Sequence, residues 1–406
     1  MNILHTSDWH LGQSFFNQNR KNEHQAFLDW LLTIVQTHEI QAIIVAGDVF
    51  DTASPPSYAR ELYHSFVVSL QATGCALIVL GGNHDSVSVL NETRGLLQHL
   101  NTTVVAACTE DLSQQLIEVK DTTGQVAALV CAVPFLRPRD LISSEAGQSG
   151  DDKKARLGEA ISAHYHALFE QACERRDALG LAIPIIATGH LTALGVSQSD
   201  SVRDIYIGTL EGFSADGFPP ADYIALGHIH RPQVVAKREH IRYSGSPIPL
   251  SFDEVSTQKQ VLIVSFQGNR RTAILPVPVP RFQPMAVLRG NLAEIEVQLA
   301  AYKGAKNVTW LCIEVTSEGY MTDLHQRIQS MVSSLPVEVL QLRRIRSAQA
   351  QAMGRECEES LTELTPHEVF ERRLQALDNS LDPALNTRLR QRFAEVVASL
   401  DEDKGE

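Results

Sequence analysis

The run Ala42-Ile43-Ile44-Val45-Ala46-Gly47-Asp48-Val49-Phe50-Asp51 leads five apolar residues straight into a glycine and a carboxylate, and it decides how the rest of the chain is read. Such a run has the length of a strand buried on both faces, and Gly47 lets the backbone turn sharply as it leaves the sheet. Two further runs repeat the form: Asn2 to Thr6 leads into Asp8-Trp9-His10, and Ala76 to Leu80 leads into Gly82-Asn83-His84-Asp85. Between them, Glu23 to His38 and Ser57 to Thr73 have helical apolar spacing. Strand and helix in alternation predict a largely parallel sheet, with the polar clusters at the carboxyl ends of its strands.

Working outward, Ala127 to Val133, Ile183 to Ala187 and Tyr223 to Leu226 read as further strands, followed by Ile241 to Tyr243, Gln260 to Phe266 and Thr272 to Val277. The segment Arg137 to Gly150, rich in Ser, Gly and charge, reads as a surface loop before an alanine-rich helix over Lys153 to Leu179. Residues 1–275 are thus expected to form one mixed α/β domain. Pro276, Pro278, Pro280 and Pro284 mark its boundary, because each proline removes a ladder donor and stiffens the chain.

A small α+β domain is expected over 281–345: strand Pro284 to Leu288, helix Leu292 to Tyr302, strand Val308 to Val315, helix Asp323 to Ser334, strand Val337 to Leu342. A polar linker, 346–363, precedes Thr365-Pro366-His367-Glu368, which has the form of a capping box with proline at the first helical position. Phe370, Leu374, Leu377 and Leu381, then Leu385, Leu389, Phe393, Val396 and Leu400, predict a helical hairpin over 364–401. So small a unit has little core of its own and calls for a surface on which to bury its leucines, either a partner or the rest of this chain.

At 406 residues, with 44% hydrophobic and 20% charged, the chain is in the globular range. Its six cysteines show no CxxC spacing, which excludes a disulfide framework and thiolate zinc and fits a reduced, cytoplasmic compartment. Met1 to Leu4 already reads as a strand rather than a signal peptide, and no segment approaches the roughly 18 apolar residues needed to span a bilayer. A net charge of -13 argues against direct phosphate binding, but 13 acidic against 7 basic residues between Arg355 and Glu406 place -6 of it at the end. There is no GxxxxGK[ST] loop, so ATP dependence would have to come from another chain.

Five clusters carry the chemistry: Asp8-x-His10, Gly47-Asp48, Gly82-Asn83-His84-Asp85, Gly189-His190 and Gly227-His228-x-His230. Each follows an apolar run, so all five can meet in one crevice at the sheet edge. The spacing of two in Asp8-x-His10 and His228-x-His230 lets both members of a pair point the same way in extended chain. Two carboxylates, one carboxamide and four imidazoles, with no thiolate, suit Mn(II), Fe(II) or Zn(II) in a catalytic centre. Placing these polar groups at strand ends without a metal would be costly unless every one found a partner. His164 and His166 are read as solvated or packed, since a separation of two on a helix turns side chains to different faces.

The series resembles that of the calcineurin-like metallophosphoesterases. Asp8-x-His10-Leu11-Gly12, Gly47-Asp48-x-Phe50-Asp51 and Tyr243-Ser244-Gly245-Ser246-Pro247 are similar to the SbcD and Mre nuclease branch of that family. The resemblance implies a four-layer sandwich of two mixed sheets flanked by helices, a small capping domain for DNA recognition and a C-terminal hairpin. It further implies that Asp8, His10, Asp48 and His230 hold one divalent ion and Asp48, Asn83, His190 and His228 a second, normally Mn(II). His84 would assist the leaving oxygen, oriented by Asp85. The implied activity is ATP-dependent double-strand exonuclease and single-strand or hairpin endonuclease cleavage of DNA in repair, recombination and replication. The implied partner is an SbcC-type ATPase whose coiled coil is gripped by residues 364–401, in a complex containing two copies of this chain. A phosphatase or cyclic-nucleotide phosphodiesterase using the same ions, or a scaffold without turnover, are the competing readings. Two readings stay open: Asp51 as an orienting or a turn carboxylate, and Ser244 to Pro247 as a DNA contact or a simple turn.

Overall fold

The computed structural model describes residues 1–141, 150–203, 205, 212–316 and 323–345, together with 389, 392 and 393. The linker and helical hairpin expected over 346–401 lie outside the described residues apart from those last three positions.

The opening strands form as the sequence predicts: Asn2–Thr6, Ala42–Val45 and Ala76–Leu80 lie side by side and parallel, and Thr102–Val105 adds a fourth. Gln260–Gln267 joins the free side of Asn2–Thr6 antiparallel, and Arg270–Pro278 closes that edge. Pro276 and Pro278 are therefore tolerated inside a strand, because an edge strand can spare the donors that proline lacks. A second six-stranded sheet runs in the order Gln233–Val235, Arg238–Tyr243, Tyr223–Gly227, Ile185–His190, Val126–Cys131, Leu116–Lys120.

Alternation along the strands assembles four layers. Leu4, Ile43, Val45, Leu77 and Val79 face the helices Lys21–Thr37 and Ser57–Gln71, and Ile3, Ile44, Ala46, Ile78 and Leu80 meet Ala128, Val130, Ile186 and Ala225 of the second sheet. The outer face of that sheet packs on Leu157, Ile161, Tyr165 and Leu168 of the helix Gly150–Leu179. Pro138–Leu141 forms a short helical turn, so the segment read as loop is helical at its start. His164 bonds Gln115 Oε1 at 3.1 Å, a packed rather than ligating role.

His5 spans the gap between the sheets. Its Nδ1 lies 2.9 Å from the Tyr223 hydroxyl and its Nε2 3.1 Å from the Leu226 carbonyl, so it belongs to the interior and not to the site. Burial drives its pKa down to about 3, against the pull of the Leu226 carbonyl, and the ring stays neutral.

Beyond the prolines, Met285–Gly290, Thr309–Thr316 and Val337–Ile345 form a separate three-stranded parallel sheet. Leu292–Leu299, with a true capping box at Asn291 and Glu294, and Leu324–Val332 cover one of its faces. The other face meets the main domain through Met285, Trp310 and Cys312 against Phe15 and Phe252, with Trp310 stacked on Phe15 at 5.8 Å.

Candidate metal centre

All seven residues expected to hold metal, with His84 and Asp85, stand at one rim of the two sheets. Asp8 and His10 lie just past Asn2–Thr6, Asp48 past Ala42–Val45, Asn83 to Asp85 past Ala76–Leu80, His190 at the end of Ile185–His190, and His228 and His230 past Tyr223–Gly227. Trp9 is driven into the core, its indole bonded to Thr6 Oγ1 and set edge-on to Phe27 and Phe66, which leaves Asp8 and His10 to turn toward the crevice.

The backbone there is not extended. Asp8, His10, Asp48 and His228 all take positive φ, at 54°, 46°, 51° and 90°, a region costly for residues with a β-carbon. The alternation of an extended chain therefore does not govern the two pairs. Asp8 and His10 do share one donor group with His230, but His228 groups instead with Asp48 and His190. The glycines have a steric task. A β-carbon on Gly47 would sit 2.2 Å from His190 Nδ1, and one on Gly227 1.9 Å from the Ala46 carbonyl oxygen.

Four of the five imidazoles are anchored through Nδ1, whereas His228 Nδ1 lies 3.0 Å from Asn83 Oδ1 within the site. His10 Nδ1 lies 3.1 Å from Asp51 Oδ1, His190 Nδ1 2.9 Å from the Ala46 carbonyl, His84 Nδ1 2.7 Å from the Asp51 carbonyl and His230 Nδ1 2.6 Å from Ser201 Oγ. The carbonyl and carboxylate partners can only accept, so Nδ1 carries hydrogen in His10, His190 and His84. His190 Nε2 then faces two further oxygens, Asn83 Oδ1 at 2.8 Å and Asp48 Oδ2 at 3.2 Å. A lone pair aimed at two oxygens needs a cation between them, either a proton or a metal. His10 Nε2 is buried without a hydrogen-bond partner and lies 3.7 Å from Asp48 Oδ2. Oxygen and nitrogen donors without sulfur, in overlapping groups, fit divalent ions.

Electrostatics agree. Burial alone would raise the Asp48 carboxyl, but His190, His10 and His84 outweigh it and hold it well below the usual range. Burial opposes charge on His190, and Asp48 overrides it, pushing the ring up to about 9. Beside so buried a carboxylate, His190 keeps its proton where no other cation is present.

Asp85 differs from expectation. Its carboxylate accepts from the amides of Gly82, Val49 and Phe50 at 2.9, 3.1 and 2.9 Å, and it is the Asp51 carbonyl that orients His84. Asp85 ties two site loops together, because from its place after His84 its side chain faces their unpaired amides. Burial, then the Asp48 charge, raise it to about 6 despite those three bonds. Asp51 settles as the carboxylate that orients His10. Ser244 and Ser246 are fully buried, so the stretch read as a turn or a DNA contact is internal support. Ser201, Glu254 and Lys259 carried no signal in the sequence, because their link to His230 arises only in the fold.

Residues 1–232 match the calcineurin-like phosphoesterase family, and 281–378 match the family described as Type 5 capsule protein repressor C-terminal domain. The chain is 52% identical over 402 residues to the SbcD component of nuclease SbcCD from Escherichia coli, covering 98% of both. It belongs to the calcineurin-like phosphoesterases. Within them, the chain is 33% identical to the SbcD component of nuclease SbcCD from Rhodobacter capsulatus over 91% of this chain and 93% of that one. The Bacillus subtilis protein of the same name is 32% identical over 78% of this chain and 79% of its own. For a calcineurin-like phosphoesterase, divalent metal at the histidine and aspartate cluster is the family's chemistry, and the sheets flanked by helices are its fold.

Proposed function

We propose that this chain is the nuclease component of an SbcCD-type complex and hydrolyses DNA phosphodiester bonds with two divalent ions, Mn(II) in the cell. The observation that carries this reading is that two donor groups, Asp8 with His10 and His230, and Asp48 with His190 and His228, adjoin at one rim, with Asp48 also grouped with His10. Asp8, His10, Asp48 and His230 would hold one ion, and Asp48, Asn83, His190 and His228 the other. When bound, such a pair activates water and offsets charge on the attacking and leaving oxygens.

The remaining steps belong to the side chains. His84, 4.6 Å from His10 between ring centres, keeps its Nδ1 hydrogen on the Asp51 carbonyl and leaves Nε2 for the departing oxygen, to which it donates when the ring is protonated. Burial first, with the His10 and Arg203 charges, lowers its pKa against the pull of Asp48, so the protonated ring is a stronger acid than a free imidazolium. Asp51 serves both histidines, through its carboxylate to His10 and its carbonyl to His84.

The relatives' name supports a partner subunit and a nucleic-acid substrate, and the acidic total of -13 is easier to reconcile with DNA if partner surfaces share in binding it. Residues 364–401 would grip the coiled coil of the SbcC-type partner, with two copies of each chain per complex. Among the described residues no helix is long and apolar enough to cross a membrane. The test is cleavage with Mn(II), with and without the ATPase partner, on linear duplex, hairpin DNA and small phosphoesters. Turnover of DNA ends and hairpins, raised by the partner with ATP, is expected; activity confined to small phosphoesters in both settings contradicts the proposal.

A further inference from the structure

Behind His230 lies a buried polar chain that the reaction as described does not use. Glu254, fully buried on the turn Phe252–Glu254, receives donors on both oxygens. On Oε2 they are Lys259 Nζ at 2.5 Å and the Leu250 amide at 3.0 Å, and on Oε1 the hydroxyls of Ser199 at 2.7 Å and Ser201 at 2.5 Å. Ser201 has a single hydrogen. A carboxylate only accepts, so that hydrogen goes to Glu254, and Ser201 Oγ must accept from His230 Nδ1 at 2.6 Å. The hydrogen of the imidazole is thereby fixed on Nδ1, and Nε2 is left as a lone pair facing Asp8 and His10.

We infer that Glu254 is a positioning residue that sets the tautomer of His230, chiefly through Ser201 and also by the approach of its own Oε1 to Nδ1 at 3.4 Å, and so governs affinity for one of the two ions only. The inference rests on the reading that Asp8, His10 and His230 hold an ion. The other donor group is anchored independently, through the Ala46 carbonyl on His190. Lys259 completes the device: it also bonds the His230 carbonyl at 2.9 Å and Ser246 Oγ at 2.8 Å, and its charge keeps Glu254 an acceptor.

Glu254→Gln gives a sharp test, because it changes almost no volume. Lys259 and the Leu250 amide are donors, so the new carboxamide must turn its oxygen toward them and its NH2 toward Ser201. Ser201 then accepts from the amide and donates to His230 Nδ1, which moves the ring hydrogen to Nε2, where it blocks the ion. Calorimetric titration with Mn(II) should give two tight ions per chain for the unaltered protein. In Glu254→Gln one should weaken at least about tenfold while the other is unchanged. Glu254→Gln with Lys259→Met removes the unmatched buried charge, so it should regain melting temperature lost by the single variant without regaining the ion.

Should either variant fail to fold, Ser201→Ala decides, with one ion weakened, beside Ser201→Thr, which keeps the hydroxyl and both ions. Unchanged affinity at both sites, or equal weakening of both, overturns the inference. If the unaltered chain itself does not bind two ions, it is the functional reading above that fails.

Discussion

His84 and His190 separate the two tasks of the site. His84→Ala should retain both ions and lose cleavage by about 100-fold or more, since it removes a proton donor and no ligand; His190→Ala should lose tight binding of one ion. Metal analysis beside a cleavage assay distinguishes them, and unchanged cleavage in both would contradict the assignments. In the metal-free protein His190 sits at about 9, above the 6.5 of a free imidazole, so its own stabilising contribution is full below 6.5 and lost as pH rises through 9. Metal binding must displace that proton. Affinity for Mn(II) should therefore climb up to about tenfold per pH unit toward pH 9 and then level, with roughly one proton released per chain from this ring. A flat profile between pH 7 and 9 would show that the ring is already neutral. At this scale the sequence was legible where a polar residue directly follows an apolar run, as with Asp48 or His190. It misled at Asp85, whose position beside His84 says nothing of which loop its carboxylate faces. It was silent at Glu254, which lies in no periodic pattern and meets His230 only once the chain has folded.

At the scale of elements, every site loop begins where a buried strand ends, and the glycines set how closely the loops approach. Gly47→Ala should cost more than a simple loss of flexibility, because φ is +93° and the new methyl would meet His190 Nδ1 at 2.2 Å. We expect at least about 1–3 kcal/mol of destabilisation with loss of one tight ion, read by urea unfolding and metal titration. The small domain is held by an aromatic seam rather than by the metal site. Trp310→Ala should cost about 3–5 kcal/mol and loosen Met285–Gly290 and Thr309–Thr316 in hydrogen exchange, with both ions still bound. Most strands of both domains were readable from their apolar runs. Thr102–Val105 and Leu116–Lys120 were not, since the first is half threonine and the second alternates with Glu118 and Lys120, so neither forms an apolar run.

The whole molecule places two sheets face to face so that one rim collects ligands from both, and the interior, between the sheets at His5 and under the helix Lys21–Thr37 at His24, carries its own pH dependence. His5 and His24, each pushed down to about 3 by burial, stay neutral in the fold but protonate near 6.5 once unfolded. Below pH 6.5 the unfolded chain alone takes up these protons. Stability should fall by about 1.4 kcal/mol per pH unit for each ring as pH drops toward 3, measurable by urea unfolding in chelator at pH 7 and 5.5. The small three-stranded sheet and the polar rim could be anticipated because the apolar runs that form the strands, and the polar residues that follow them, are local in sequence. The link from Glu254 to His230 depends on how Phe252–Glu254 docks beneath the rim, which no single stretch of sequence encodes. The central claim is that Asp8, His10, Asp48, Asn83, His190, His228 and His230 together hold two ions. An anomalous-difference map from manganese-soaked crystals tests it most directly. Two peaks are expected with Asp48 between them, one among Asp8, His10 and His230 and one among Asn83, His190 and His228; a single peak, or none at this rim, would contradict it.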